Sequence, residues 1–148
     1  MKNMILAGLL ITTLCSCVQQ NLTSPAIMKR QTAFFAELKG YSLPTVTIPS
    51  KLPSSTPSFK LYLIAEQLAA QQGLISDGTM APQGKLVVGK KIDGDSVIIG
   101  IQFIEFDDGR ITFEYITKAN GLHIEACQKM EKVYVAALKK EFYQHFPE

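Results

Sequence analysis

The spacing of apolar positions changes along the chain, and each change marks an element. Ser24-Pro25 reads as a helix N-cap with proline at the first helical position. Ile27, Phe34, Phe35 and Leu38 then share one helical face, and Gly40 is a natural stop, so the pattern predicts a helix over 25–39. Residues 41–57 lose the periodicity. Pro44, Pro49, Pro53 and Pro57 stand there among Ser and Thr, which favours extended backbone reaching up to roughly 50 Å at about 3.1 Å per residue. This stretch reads as a spacer, with a recognition segment as the alternative. Its Val46, Thr47 and Ile48 also suit a sheet edge, where proline is tolerated. Leu61, Ile64, Ala65, Leu68 and Ala69 restore helical spacing until Gly73, predicting a second helix of about 15 residues. Residues 74–84, with Asp77-Gly78 and Pro82, read as an irregular connection.

A β pattern follows. Residues 85–92, 96–107 and 110–117 are rich in Val, Ile, Phe and Tyr, and Asp93-Gly94 and Asp108-Gly109 between them are two-residue hairpin signals. After Asn120-Gly121, residues 122–145 carry Ile124, Cys127, Met130, Tyr134, Leu138 and Phe142 on one helical stripe. The expected fold is α+β: a three-stranded antiparallel meander packed with a long C-terminal helix and one or two N-terminal helices.

Strand side chains alternate, and the turns fix register. A two-residue loop at Asp108-Gly109 sets Phe106 opposite Ile111 and Ile104 opposite Phe113, with Tyr115, Ile98 and Val87 on that side. The other side then holds Leu86, Val88, Val97, Ile99, Ile101 and Phe103, joined by Ile116. Both sides are apolar. Each such side chain contributes roughly 1.5–3 kcal/mol when fully buried, so both must be covered. Helices on opposite faces would do it. Otherwise a partner covers one face, and Leu86, Val88, Ile99, Ile101 and Phe103 are then the expected interface.

The first residues carry a different message. Lys2 precedes an uncharged apolar stretch over 4–14, roughly 16 Å long as a helix against about 30 Å of bilayer hydrocarbon. That is too short to span and suits a secretory signal peptide. Leu14-Cys15-Ser16-Cys17 follows, with an aliphatic residue at −3, a small one at −1 and cysteine at +1. This resembles the lipobox of bacterial lipoprotein precursors, with Leu14 and Ser16 as peptidase recognition positions and Cys17 as the acylated residue. Cys15 at −2 is a mild departure from the usual small residue. The resemblance covers about twenty residues and implies nothing of the fold beyond them. It implies acyl chains on Cys17, and two or three chains hold a protein stably where one does not. Val18, in place of the aspartate linked in enteric bacteria to inner-membrane retention, implies the periplasmic face of the outer membrane. The expected organisation is a signal peptide over 1–16, a lipidated tether over 17–24, a helix and Pro-rich spacer over 25–57, and a globular domain over 58–148. Cys127 is then the one cysteine left without lipid, and a buried apolar role is expected for it.

Composition narrows the function classes. Of 148 residues 47% are hydrophobic and 19% charged, with net charge +2, which fits a globular domain and argues against a nucleic-acid surface. His123 and Cys127 lie one helical turn apart, but two ligands do not make a metal site, and capping and core roles account for both. Asp93-Gly94-Asp95 and Asp107-Asp108-Gly109 sit at opposite ends of a meander and read as turn chemistry. No nucleophile elbow, phosphate loop or dinucleotide fingerprint occurs. Lysines 129, 132, 139 and 140, interspersed with glutamates, read as a solvated helix face. The expectation is a non-catalytic lipoprotein, without cofactor or metal, that docks on another envelope protein. The alternative is a small-ligand-binding lipoprotein with a cavity lined by Phe103, Ile101 or Tyr115.

Overall fold

The computed structural model describes residues 25–147. The expected signal peptide over 1–16, with Leu14 and Ser16, and the expected lipidated tether over 17–24, with Cys17, lie outside the described residues. Helix α1 spans Pro25–Leu38 and α2 spans Phe59–Gln71. Strands β1 (Ile75–Asp77), β2 (Lys85–Ile92), β3 (Asp95–Glu105) and β4 (Ile111–Lys118) follow, then α3 (Ile124–His145). The sheet is antiparallel in the order β1-β2-β3-β4. The α+β class and the long last helix match expectation; the sheet has four strands and not three. β1 lies inside the stretch read as irregular. Three residues are too few to show alternation, and pairing holds them: Ile75 faces Gly89 and Asp77 faces Val87.

Both sheet faces are covered by this chain. On one face α2 and α3 bury Leu61, Tyr62, Ala65, Tyr134 and Leu138 against Leu86, Val88, Val97, Ile99 and Ile101. On the other, Phe34 and Leu38 of α1, with Leu43, pack on Val87, Ile98 and Ile116. Leu86, Val88, Ile99 and Ile101 are fully buried and Phe103 is 6% exposed. The expected interface is therefore core, not a docking surface.

The boundary expected near residue 57 does not hold either. Phe34, Leu38 and Leu43 are buried, Leu52 packs against the larger core, and Ile48 bridges Asp77 in parallel. The Ile48 N–H donates to Ser76 O at 3.1 Å and Ile48 O accepts from Gly78 N–H at 3.0 Å. Ion pairs tie α1 to the sheet, Arg30 Nη2 to Glu114 Oε1 at 2.7 Å and Lys85 Nζ to Glu37 Oε1 at 2.8 Å. The Pro-rich stretch is thus a strap across the domain, and its Ile48 does lie at a sheet edge.

Register follows the turns. Ile92 faces Asp95 across a two-residue loop whose Asp93 and Gly94 both have positive φ (52° and 87°), the type I′ geometry of tight hairpins. That half of the register is as expected. At the second turn Phe106 N–H donates to Arg110 O and Gly109 N–H to Phe106 O, both at 2.9 Å, so Asp107, Asp108 and Gly109 form a three-residue loop with Gly109 at φ 84°. One extra loop residue shifts β4 by one. Phe103 faces Phe113 and Ile101 faces Tyr115, so Phe113 and Tyr115 join the α2–α3 side while Ile116 joins the α1 side.

Candidate functional site

Several polar groups are drawn inward, and each is tied to structure. His123 Nε2 lies 3.3 Å from Asp95 Oδ2, the Asn120 side-chain amide donates to the same oxygen, and Asn120 Oδ1 accepts from Leu122 N–H at 3.1 Å. This network caps the entry to α3 and pins it to the start of β3. Ser96, the neighbour of Asp95, accepts from Leu43 N–H at 3.1 Å and lies 3.3 Å from the Ser42 hydroxyl. Alternation sends it to the opposite face from Asp95, so His123, Asp95 and Ser96 do not converge. Cys127 is buried, and among the described residues no three His, Cys, Asp or Glu side chains are grouped to hold a metal ion.

Two carboxyls are held above their ordinary values. Burial pushes Glu131 of α3 up, partly offset by hydrogen bonds from Thr117 and Tyr115 and by the charge of Lys139. The Tyr115 hydroxyl lies 3.4 Å from Glu131 Oε1. Burial likewise raises Glu66 on α2, with Ser50 of the strap opposing the shift. Beside it, burial pushes the Tyr62 phenol up to about 12. The Ser50 hydroxyl is near enough to offset part of that rise, although the Tyr62 hydroxyl has no hydrogen bond of good geometry. Tyr134 donates to Ala65 O at 2.7 Å, joining α3 to α2. Tyr62, Tyr134 and Glu131 are buried and Glu66 is half-buried.

An open cleft of about 560 Å³ lies where the β3–β4 turn meets the last turns of α3. Its volume is in the range of ligand sites, roughly 300–1,000 Å³, but two of its rings, Phe106 and Tyr143, stand in solvent. Phe106, Arg110, Ile111 and Thr112 form one wall and Phe142, Tyr143, Phe146 and Pro147 the other. The helical wall is an aromatic cluster. Phe142 stacks on Phe146 at 5.4 Å between ring centroids and meets Phe113 and Tyr143 edge-on at 5.7 and 5.5 Å. The Lys60 ammonium stands 5.8 Å over the Phe146 ring. On the turn side Arg110 stacks 5.0 Å from the Phe106 ring while its Nε pairs with Asp108 Oδ2 at 2.8 Å. The Arg110 backbone N–H and guanidinium hold the Asp108 carboxyl below its ordinary range.

Phe106 is 44% exposed and Tyr143 59%. Arg110 is the one charged residue among those lining the cleft. Such a site can grip a flat apolar group and orient it by an ion pair; it holds no general base beside a nucleophile. Sequence reasoning placed Phe142 on the core stripe and missed the cleft. The available signal was the density of rings in Phe142-Tyr143-Gln144-His145-Phe146. The expected cavity lined by Phe103, Ile101 or Tyr115 is not what forms, since Ile101 and Phe103 are core. No helix among the described residues is long and apolar enough to cross a membrane. Compared with protein-family models, curated proteins and solved structures, this chain matches none.

Proposed function

We propose that this protein is a non-catalytic docking module of the bacterial envelope, held by acylated Cys17 at the periplasmic face of the outer membrane and acting through its aromatic cleft. The observation that carries the docking half is the cleft itself. The chain covers both faces of its own sheet, yet leaves Phe106 and Tyr143 in water around one opening. Exposed clustered aromatics mark binding surfaces. The anchoring half rests on the lipobox-like Leu14-Cys15-Ser16-Cys17. Residues 17–24 reach at most about 28 Å at roughly 3.5 Å per residue, so the start of α1 stays near the lipid surface.

A small-ligand reading of the same cleft draws on its volume. The exposure of Phe106 and Tyr143 favours docking, because small-ligand sites enclose about 70–90% of the ligand surface, whereas a macromolecular partner brings its own cover. Two measurements test the reading. Cys17→Ser should move the protein from the membrane to the soluble fraction with the domain still folded. A photo-crosslinking residue replacing Tyr143 in cells should give a protein adduct. A Cys17→Ser form that stays in the membrane removes the anchor, and a Tyr143 probe that labels nothing removes the docking surface.

A further inference from the structure

We infer that the outward side of α1 and the neighbouring end of the sheet form a basic surface that lies against anionic lipid headgroups and turns the cleft away from them; this rests on the lipid-anchor reading and not on the docking one. Charge is divided unequally between the two sides of the sheet. Val87, Ile98 and Ile116 pack toward α1, so alternation sends Lys85, Lys91, Glu114 and Lys118 to the same side. Counted with Lys29, Arg30 and Glu37 of α1, Lys39 just after it and Asp77 opposite Val87, that side holds six Lys or Arg against three Asp or Glu. The other described residues hold eight against nine. All three acids on the α1 side are taken up internally. Glu37 pairs with Lys85 and Glu114 with Arg30. Asp77 is buried and accepts from the Tyr41 hydroxyl and from Thr79 N–H. Lys29, Lys39 and Lys91 are exposed, and among the described residues no ion pair holds them. Lys118, whose Nζ donates to Tyr41 O at 2.9 Å, adds a fourth cation.

The free cations fall on one flank of α1. Lys85 and Glu114 both face Gln102 across the sheet, so Arg30 and Glu37 mark the flank that looks toward that row. Met28 and Lys39 stand two residues from them, about 200° round the helix. They look toward the opposite end of the sheet, where Lys91 and Lys118 stand near the ends of β2 and β4. Met28 is 49% exposed there, an apolar side chain of the kind that enters the headgroup layer beside basic residues. Reach selects lipid as the polyanion. A lysine is drawn to an anionic bilayer by about fivefold, and only within a Debye length of about 8–10 Å. The tether of at most about 28 Å keeps α1 over the bilayer. The lysines of α3 are interspersed with Glu125, Glu131 and Glu141 on the far side of the sheet. The cleft stands on that far side too, at the other end of β4, so this orientation leaves it open to a partner.

The test uses the full-length lipidated protein, purified from its own membrane and reconstituted into vesicles of phosphatidylcholine and phosphatidylglycerol in equal amounts. An environment-sensitive fluorophore is attached at Met28→Cys or, as the control on α3, at Val133→Cys; both positions are exposed. The two probes are separated by α1, the sheet and α3, with layers about 10 Å apart. A nitroxide on the lipid headgroups should therefore quench the probe at 28 more than that at 133, by about threefold over a distance of this order. Lys29→Gln with Lys39→Gln, vesicles of phosphatidylcholine alone, or about 1 M salt, where the Debye length is about 3 Å, should each erase the excess while the protein still floats with the vesicles. Equal quenching at the two positions, stronger quenching at 133, or an excess at 28 that survives any of the three changes overturns the inference and leaves the anchor standing. Protein that does not float with the vesicles removes the anchor reading, and the inference with it.

Discussion

Replacing Gly100 with valine drives three carbons into space that α1 fills above the sheet. A Cβ at Gly100 would sit 2.5 Å from Leu38 Cδ1 and 2.9 Å from Phe34 Cζ. Ordinary carbon contacts are about 3.5–4.0 Å, so the first carbon alone overlaps Leu38 by about 1 Å. Both neighbours are buried, so their side-chain ends move aside only by displacing the core around them. Overpacking of this kind costs about 1–3 kcal/mol, and a valine belongs at the upper end. Leu38→Ala, which opens a hole at the same place, costs about 2–5 kcal/mol. The two changes nearly compensate in volume, because the valine carbons occupy what the leucine vacates. The double variant should therefore lose less than the sum of the single losses, by about 1–3 kcal/mol. Urea unfolding followed by far-ultraviolet circular dichroism measures this, provided the slope m is unchanged. Losses that add to within about 0.5 kcal/mol would mean that α1 is not seated on Gly100, and the integration of α1 into the domain would fall with it.

Glu131→Gln should stabilise the protein at pH 7. The folded pKa of Glu131 is raised, so its contribution is full below the unfolded carboxyl value and is lost as pH rises through the folded one. The gap between variant and wild type in thermal unfolding should close as pH falls toward 4, and a gap that widens on acidification refutes the assignment. Asn120→Ala removes the acceptor for Leu122 N–H and the donor to Asp95. It should cost about 1 kcal/mol in urea unfolding, and a neutral result would show that the cap does not secure the entry to α3.

How far the sequence could be read depended on how local each determinant was. Asp93-Gly94 fixed the β2–β3 register, since both its residues adopt positive φ and the loop has two members. Asp108-Gly109 carries the same two letters and a different geometry. Gly109 serves there as the third residue of a loop, and the one-residue slip moved Phe113 and Tyr115 across the sheet. A left-handed glycine suits both loops, so the dipeptide cannot choose between them. Helix α1 was legible from its stripe, but its docking was not. That docking depends on Leu43 in an aperiodic segment and on bare backbone at Gly100, and neither leaves a periodic trace. The cleft was hidden for a related reason. Its walls are 106–112 and 142–147, and only the return of α3 along β4 brings them together. Phe142 on the core stripe looked no different from Leu138, which is buried.

Intact mass spectrometry of the native protein, extracted from its own membrane, tests the anchored-module account most directly. The account predicts a chain that begins at Cys17 and carries the added mass of a diacylglyceryl group, with or without a further acyl chain. A chain that begins at Met1, or at any other residue with no added hydrocarbon, would contradict it.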